Sequence, residues 1–500
     1  MDELALGWPK RYSGGSANTR RLCMKLIIEA RFEDSDGGSD PPIVVGEIER
    51  RDGNLADLGL KLAEGQDLLG QVQSRLVSLQ AQRWLEQHSR CRRCGQALAH
   101  KDTRSIVVRT AFGKMAVPSP RWWTCQCGTH GRRQTFSPLS KVLTRRTTLE
   151  LECLETKWAA HLPYRQANSL LKEVLPLNQA ISFGGTRRRV LAVGQRLDQL
   201  VQHDIAQHRN RDNGGLESRE SKVVACVAVD SAWLTLYASP KIRRAQHAEE
   251  QLHCMRMKQV WSHHVNIVAG RATFASRPAR LYGYVHKQVA SAAERLDQFL
   301  RAGGVQPDER VTVISDDAGE FVKAVQGSAL ARGRILDWFH IAMKFKAAEN
   351  SVWGSKHVEP HERDRVRDWL RRAQWLVWDG KSRKAAARIK ELDEELMVNP
   401  DHEDSTLWWN LRRLYFYIDN NESTLVNYGA RYRKGLPISS SITESAVNLL
   451  VSHRMAKKQQ MRWTNEGAHH LVQVRVAALN GELTPQRLAA MFRAPRANAS

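Results

Sequence analysis

The sequence lacks any apolar run that could cross a bilayer, which takes roughly 18 or more consecutive apolar residues. Its opening residues, MDELALGWPK, are acidic at the start and have no apolar segment of the kind that directs secretion. Cysteine is also scarce: there are eight in 500 residues, and four of them cluster between positions 91 and 127. Clustered cysteines favour metal binding over disulfides in a reducing compartment. These absences predict a cytoplasmic chain with no membrane partner.

Acidic residues are few relative to basic ones. There are 53 Asp and Glu against 76 Lys and Arg, giving a formal net charge of +23 and an isoelectric point near 9.9. A positive field attracts polyanions, and neutralised phosphates supply much of the affinity of proteins for DNA. RNA or an anionic membrane surface would be attracted equally, and a basic surface need not have a polyanionic partner. Charge alone therefore favours nucleic acid without selecting it.

The length predicts several domains, because one hydrophobic core seldom organises so long a chain. Residues 1–56 are an N-terminal extension with short strand patterns. Apolar residues at helical spacing predict an amphipathic helix over 57–90. Helical patterns return over 141–208, and the Asn- and Gly-containing stretch 209–221 has the composition of a linker.

Four cysteines occur in two close pairs, each followed by glycine: Cys91 and Cys94, then Cys125 and Cys127. Between the pairs, alternating residues predict a hairpin that turns at Phe112-Gly113. Four thiolates at the ends of a hairpin provide the closed tetrahedral site of structural Zn²⁺, so residues 91–135 are predicted to form a zinc ribbon. The alternative is four free cysteines, since the second pair is one residue shorter than C-x-x-C. Such a ribbon serves either phosphate contact or dimerisation.

Beyond the linker the pattern alternates between strands and helices. Apolar strands are predicted at 223–229, 264–274, 280–287, 310–315 and 334–339, with helices between the last three. This order is that of the RNase H-like α/β fold, whose core is a mixed five-stranded sheet. The predicted class is multidomain α+β, with that core in 222–350 and 436–482. An all-helical insertion, 351–435, interrupts the core, and residues 483–500 form a tail.

Three carboxylates fall where this topology places metal ligands. Asp230 follows the first strand, Asp316 follows the fourth, and Glu444 lies on the closing helix. Phosphoryl transfer on DNA uses two divalent cations about 4 Å apart, and Mg²⁺ takes oxygen ligands. The three residues are therefore predicted to hold Mg²⁺, or Mn²⁺, as a catalytic Asp-Asp-Glu triad.

Each of these carboxylates also has an ordinary structural interpretation. Asp230 has the position of a common strand-end aspartate. Asp316, or its neighbour Asp317, is suited to cap the helix that follows. Glu444 forms a capping-box sequence with Ser441, in which the glutamate hydrogen-bonds the start of its own helix.

Four segments resemble the insertion-sequence transposases of the Asp-Asp-Glu type, and among these the ISKra group. They are VAVDSAWL around Asp230, VISDDAGEF around Asp316, DWFHIAMKF from Asp337, and SITESAVNLLVSHRMAKKQQMRWTNEGAHHLVQVRVAALNG from Ser441 to Gly481. The likeness spans roughly residues 55–482, and its last segment is the most specific. One departure is a second aspartate after Asp316 where glycine is commoner, which leaves Asp316 and Asp317 both open as the second ligand.

The resemblance implies an enzyme that nicks DNA hydrolytically and transfers strands at the ends of its own element. The implied partners are double-stranded DNA, both element ends and target, and further copies of the chain in a homo-oligomer on that DNA. The implied location is the bacterial nucleoid. Two other functions share most of these features: a catalytically inactive zinc-ribbon DNA-binding regulator, and a structure-specific nuclease without strand transfer.

The DWFH segment is similar to the Asp/Cys-x-x-His motif that follows the second aspartate in related transposases. It supplies Asp337 and His340, which are predicted secondary catalytic residues that tune the metal site or contact DNA. A locally satisfied pair beside Trp338 and Phe339 is the alternative.

Two basic groups are predicted to contact DNA. The helical region contains a helix-turn-helix-like pair, 162–175 and 181–197, whose second helix is suited to a major groove. A basic run also follows the third carboxylate closely. The predicted DNA-binding residues are Arg187, Arg188, Arg189, Arg454, Lys457, Lys458, Arg462 and Trp463. The alternatives are an ordinary helix-packing unit, a solvated helix end and a core tryptophan.

Overall fold

The chain forms two compact units of helix and sheet, Met1–Leu151 with Ser169–Ile181 and Glu152–Asn168 with Ser182–Ser500. The structure is a computed structural model. It describes residues 23–33, 41–51, 58–128, 133–177, 180–209, 219–220, 226–235, 264–274, 278–316, 319–439, 446–455 and 463–493. Within these ranges, no helix has both the length and the apolar character that crossing a membrane requires.

The first unit combines a long helix with two antiparallel sheets. Its elements are β1 (Cys23–Ala30), β2 (Ile43–Arg51), α1 (Leu62–Gln87), β3 (His100–Thr110), β4 (Gly113–Trp123), β5 (Thr135–Phe136) and α2 (Pro138–Val142). β1 pairs with β2, and β4 lies between β3 and β5. One face of α1 packs on the β3–β4 hairpin and on α2, in a core of Ala81, Ile106, Val108, Val117 and Leu139. A helix and a hairpin are present where the sequence predicts them, although Leu62, Leu69 and Leu76 on that helix are exposed.

Three helices follow, as the pattern over 141–208 predicts: α3 (Leu149–His161), α4 (Tyr164–Val174) and α5 (Phe183–Arg209). The last of them is 27 residues long and buries Val190, Val193 and Leu197 within the second unit. It therefore extends well beyond the helix predicted for 181–197.

A mixed sheet organises the second unit. Its strands are β6 (Arg219–Glu220), β7 (Cys226–Thr235), β8 (His264–Thr273), β9 (Arg280–Val285), β10 (Glu309–Ser315) and β11 (Ala331–Leu336). The order across the sheet is β11-β10-β7-β8-β9, with β6 beside β10. β8 runs antiparallel to both neighbours, whereas β7, β10 and β11 run parallel.

The five predicted strands are present, with corrected ends. β7 continues past Asp230 to Thr235, because its ladder with β8 extends to the pair Thr235–His264. The last strand was predicted to reach residue 339, but β11 ends at Leu336. The side chain of Asp337 accepts a hydrogen bond from the Phe339 backbone N–H and starts a helix there. The predicted linker 209–221 includes β6 and the last residue of α5, and its residues 210–218 lie outside the described ranges.

Three helices pack with this sheet. Two of them follow β9 and β10 in the chain, and the third packs on β9. α6 (Ala292–Ala302) and α7 (Gly319–Gln326) share an apolar core with the strands, including Val227, Tyr282, Leu296, Phe299 and Val313. α14 (Asn465–Leu479) packs between β9 and α5. A methyl group at Gly194 of α5 would lie 2.2 Å from the His470 carbonyl oxygen, so this crossing requires glycine.

The predicted helical insertion forms a bundle that begins earlier than residue 351. Its helices are α8 (Trp338–Gly354), α9 (Arg363–Trp378), α10 (Ser382–Leu396), α11 (Thr406–Asn420) and α12 (Tyr428–Arg433). α8 packs against α9 and α11. The core of the bundle is continuous with Ile314, Ile335 and Leu336 of the sheet. The bundle and the sheet are therefore joined by shared apolar packing.

The C-terminal segment contains a π-helix, Asn448–Ser452, between the bundle and α14, followed by a short helix, α13 (His453–Met455). A π-turn leaves carbonyl groups outside the regular α-helical ladder. Buried Arg475 donates to the Leu449 and Leu450 carbonyls and to that of Ala160 in α3. The predicted tail 483–500 is wrong in part, since α15 (Pro485–Arg493) is folded there and buries Leu488.

A network of hydrogen bonds connects α5 to α14 and to α6 in the second unit. One carboxylate oxygen of Asp198 accepts hydrogen bonds from His469 Nε2 at 2.9 Å and from Arg295 at 2.7 Å. Burial raises the pKa of Asp198, but the hydrogen bond from His469 and the charge of Arg295 outweigh it and lower the pKa from 3.8 to about 2. A second hydrogen bond of Arg295 reaches Gln473 on α14.

We expect Asp198→Asn to destabilise the second unit by about 2 kcal/mol near pH 7. The variant loses the free energy that corresponds to the lowered pKa of Asp198, and the charge of Arg295 no longer has a carboxylate partner. A carboxylate with a lowered pKa stabilises the fold above its unfolded pKa and loses that effect as the pH falls toward 2. The difference in free energy of unfolding between the variant and the wild type, measured with urea, should therefore be about 1 kcal/mol smaller at about pH 3 than near pH 7. Asp204→Asn, exposed on the same helix, is the control. A difference no larger than that of the control would contradict this role.

Candidate metal centres and nucleic-acid contacts

The four clustered cysteines converge in the first unit. The Sγ atoms of Cys91, Cys94, Cys125 and Cys127 all lie within 4.8 Å of one another. Two of the pairs, Cys91–Cys127 and Cys94–Cys125, are 3.5 Å apart, which is far beyond a disulfide bond. Sulfurs at the corners of a regular tetrahedron with bonds of about 2.3 Å lie about 3.8 Å apart. The cluster therefore has the dimensions of a Cys₄ zinc site, as predicted.

Local backbone structure brings the two pairs together. The first pair lies in a tight turn in which the Gly95 N–H donates to the Cys91 carbonyl at 2.9 Å, and Gly95 has a φ of +74°. A positive φ is easily adopted only by glycine. The second pair enters a 3₁₀ turn, Gln126–Gly128, directly after β4. The short C-x-C spacing is thus accommodated by a tighter helical turn.

The thiol chemistry of the cluster also suits a cation. Backbone N–H groups of Cys94 and Arg93 lower the pKa of Cys91 to about 6, so one thiolate forms readily. Neighbouring thiols, Cys94 first among them, raise the pKa of Cys127 to about 12. Four thiolates this close repel one another unless a positive charge lies between them. A divalent cation such as Zn²⁺ provides that charge.

A row of three aspartate positions lies at one edge of the sheet in the second unit. Ser315 of β10 pairs in register with Val229 of β7 and with Leu336 of β11. The next residue on each of these parallel strands is an aspartate, and the three are Asp230, Asp316 and Asp337. Adjacent strands are about 4.8 Å apart, so the backbone brings the three positions into neighbouring places. We call them the aspartate row.

Two members of the row have described side chains. The side chain of Asp316 is partly buried. The backbone carbonyl of Asp316 accepts hydrogen bonds from the Ser315 hydroxyl at 3.0 Å and from Arg334 at 2.6 Å. Asp337 is fully buried, and its second carboxylate oxygen accepts a hydrogen bond from His340 Nδ1 at 2.7 Å. The local Asp337–His340 pair is therefore present, which fixes the orientation of the imidazole ring.

The remaining predicted ligands are not fully within the described part of the chain. For Asp230 the backbone position in β7 is described but the side chain is not. Glu444 and Asp317 lie outside the described residues, together with Ser441. Among the described residues that follow Glu444, Leu450 is buried and packs near Gly283 of β9.

Three residues predicted to contact DNA are instead engaged inside the protein. Arg189 forms a two-point ion pair with the fully buried carboxylate of Glu155, at 2.5 and 2.6 Å. Arg454 is 1% exposed, and its Nε donates to the Ala159 carbonyl. Trp463 is 7% exposed, and its indole N–H donates to a backbone carbonyl. These side chains are structural, which corrects the prediction.

The other predicted DNA contacts have different outcomes. Arg187 and Arg188 are exposed on the first turns of α5 and stay candidates for phosphate contact. Lys457, Lys458 and Arg462 lie outside the described residues. Sequence reasoning also missed the buried pair of Arg454 and Arg475. Burial lowers the pKa of Arg475 to about 9, with the charge of Arg454 contributing.

The chain was compared with protein-family profiles and with curated proteins. Neither comparison found a match.

We expect Cys94→Ser to remove the bound metal and to destabilise the first unit, because three thiolates no longer close the tetrahedron. Metal content after dialysis should fall from about one zinc per chain to well below that, measured by elemental analysis with a thermal melt in parallel. Cys153→Ser is the matched control, since this thiol is buried away from the cluster in the second unit. Equal zinc content in the two variants would refute the assignment.

Proposed function

We propose that the chain is a DNA transposase of the Asp-Asp-Glu type, which binds the ends of its own insertion sequence and catalyses metal-dependent strand cleavage and strand transfer. The observation that carries the proposal is the register of the parallel strands. It puts the backbone positions of Asp230 and Asp316 side by side on the two central parallel strands, where β10 ends and β7 continues. Paired carboxylates at such a place suit two divalent cations about 4 Å apart.

The strand order supports an RNase H-like core for the second unit. In chain order, leaving out the two-residue β6, the five longer strands are arranged 5-4-1-2-3, and the second alone is antiparallel to its neighbours. The sequence predicts a mixed five-stranded sheet, and β6 adds a short sixth strand beside β10. The helical bundle follows the fifth strand, in agreement with an insertion before the closing helix. Glu444 would complete the triad from that helix.

Within this proposal the chain's own residues have separate tasks. Asp230 and Asp316 would hold a pair of divalent cations, Mg²⁺ or Mn²⁺, which would supply activation of a water or 3′-hydroxyl and stabilisation of the leaving oxygen. Arg334 holds the backbone at Asp316 by its hydrogen bond to the carbonyl, and anchors to Asn421 at 2.8 Å. Arg334 is therefore a positioning residue.

The Asp337–His340 pair borders the same row. The Asp337 carboxylate accepts a hydrogen bond from Nδ1–H of His340 and keeps the ring in one tautomer and orientation. Because Asp337 also caps α8, the pair is anchored to both the sheet edge and the bundle. We place it beside the reacting phosphate as a secondary element that tunes the site.

Binding of the DNA itself is supported by charge and by the cysteine cluster. The net charge of +23 favours a polyanion, and the exposed Arg187 and Arg188 are suited to phosphate contact. The zinc ribbon would hold a hairpin that is rich in basic residues. A homo-oligomer on DNA and a nucleoid location belong to the same proposal.

We expect Asp316→Asn to reduce Mg²⁺-dependent cleavage by at least about 100-fold, the size of loss that removal of a single electrostatic stabiliser produces. The substrate is DNA that carries the sequences flanking the chain's own coding region, and the assay follows both nicking and joining to a target plasmid. Binding of this DNA should be retained, because the phosphate contacts lie elsewhere. Asp364→Asn, with a side chain 85% exposed on α9, is the matched control.

The outcomes separate the candidate functions. Unchanged cleavage by Asp316→Asn would refute the proposed site. DNA binding by the wild type without any cleavage would instead support the inactive regulator. Cleavage without joining would support the nuclease.

A further inference from the structure

The helical bundle carries an aromatic and cationic surface on α11 and α8. On α11, Trp409, Arg413, Phe416 and Asn420 recur at intervals of three and four residues and so share one side of the helix. Together with Arg412 and with Lys344 of α8 they line a shallow cavity of about 530 Å³. We call these six residues the Trp409 surface.

The rings of this surface are not needed for the core. Trp409 is 46% exposed and Phe416 is 48% exposed, whereas their neighbours Trp408 and Tyr417 are each 7% exposed. The bundle thus fills its interior with one aromatic of each adjacent pair and leaves the other in solvent. Grouped exposed aromatics of this kind mark a binding surface more often than a fold requirement.

Cations surround these rings and acids are missing from the six residues. The Arg412 guanidinium lies 4.6 Å from the Trp408 ring, and that of Arg413 lies 5.9 Å from the Trp409 ring. The Lys344 ammonium lies 4.3 Å over the ring of Tyr417. Cation–π contacts hold Arg412 and Lys344 on the buried rings of Trp408 and Tyr417, which adjoin the exposed rings in sequence, and hold Arg413 on exposed Trp409 itself. The surface therefore offers flat apolar faces in a positive field.

We propose that the Trp409 surface binds single-stranded DNA, with an unpaired base stacked on Trp409 and the flanking phosphates on Arg412 and Arg413. Proteins bind single strands by this combination of stacking rings and cations. In double-stranded DNA the phosphates are accessible, but the base faces are stacked on one another. No base face is therefore free to stack on an exposed indole. Trp409 and Phe416 are about 10.5 Å apart along the helix, so they form two separate platforms.

This site shares no residue with the aspartate row, and its binding does not depend on catalysis. A cleaved strand can unpair at its new end, which gives a single-strand site a place in the proposed function. The binding itself requires no divalent cation and is measured in EDTA. Loss of cleavage in Asp316→Asn with intact single-strand binding leaves this proposal standing.

The test uses the full chain and a short fluorescent oligothymidylate, with affinity measured by anisotropy. Trp409→Ala should weaken binding about 5- to 150-fold, the effect of losing one stacked base. Trp409→Phe should retain most of the affinity, because a ring face remains. The matched control is Trp375→Ala, which removes a 64% exposed tryptophan from α9 outside this surface and should leave the affinity unchanged.

Salt dependence tests the cations separately. Removing both charges with Arg412→Gln and Arg413→Gln should lower the slope of log affinity against log salt by about 1.4, or about 0.7 per lost phosphate contact. Arg383→Gln, in a 85% exposed side chain on α10, is the charge control. Equal affinities for Trp409→Ala and Trp375→Ala would overturn the proposal. So would a Trp409→Ala variant that loses only self-association, measured by sedimentation, since the surface would then contact protein.

Discussion

The parallel ladder through β7, β10 and β11 is the constraint on which the candidate catalytic edge depends. Ser315 is paired on both sides, and the residue after each partner is an aspartate. A slip of one residue in either pairing would break this row and move side chains to the opposite face. The apolar side chains that fix the register are buried on these strands, among them Val313, Ile314 and Leu336. The apolar packing that fixes the register of these strands therefore also determines where the three aspartate positions lie.

The same packing links the sheet to the helical bundle. Ile314, Ile335 and Leu336 belong to the apolar core that continues through α8, α9 and α11. Asp337 lies at this junction, as the last residue before α8, and its carboxylate serves both the helix start and His340. A metal site at such an edge would rest on rigid elements rather than on loops, which is what precise phosphoryl transfer needs. The Trp409 surface is carried by a helix of the same core.

Features encoded by nearby residues could be predicted from the sequence. The cysteine pairs and their hairpin follow from spacing and alternation, and the strands from short apolar runs. The end of β11 could not be placed, because Trp338 and Phe339 fit a strand until the cap of Asp337 is seen. The internal contacts of Arg189 and Arg454 could not be predicted either, because their hydrogen-bond partners lie 34 and 295 residues away in the sequence. A basic residue that neutralises a buried carboxylate or caps a distant helix has the same local sequence as one that meets DNA.

The most direct measurement is the anomalous scattering of Mn²⁺ in crystals of the full chain. We expect two Mn²⁺ ions about 4 Å apart at the aspartate row, with oxygen ligands from Asp230 and Asp316 and a third carboxylate from Glu444. Manganese absent from this edge, with the Glu444 side chain bonded to the start of its own helix, would contradict it.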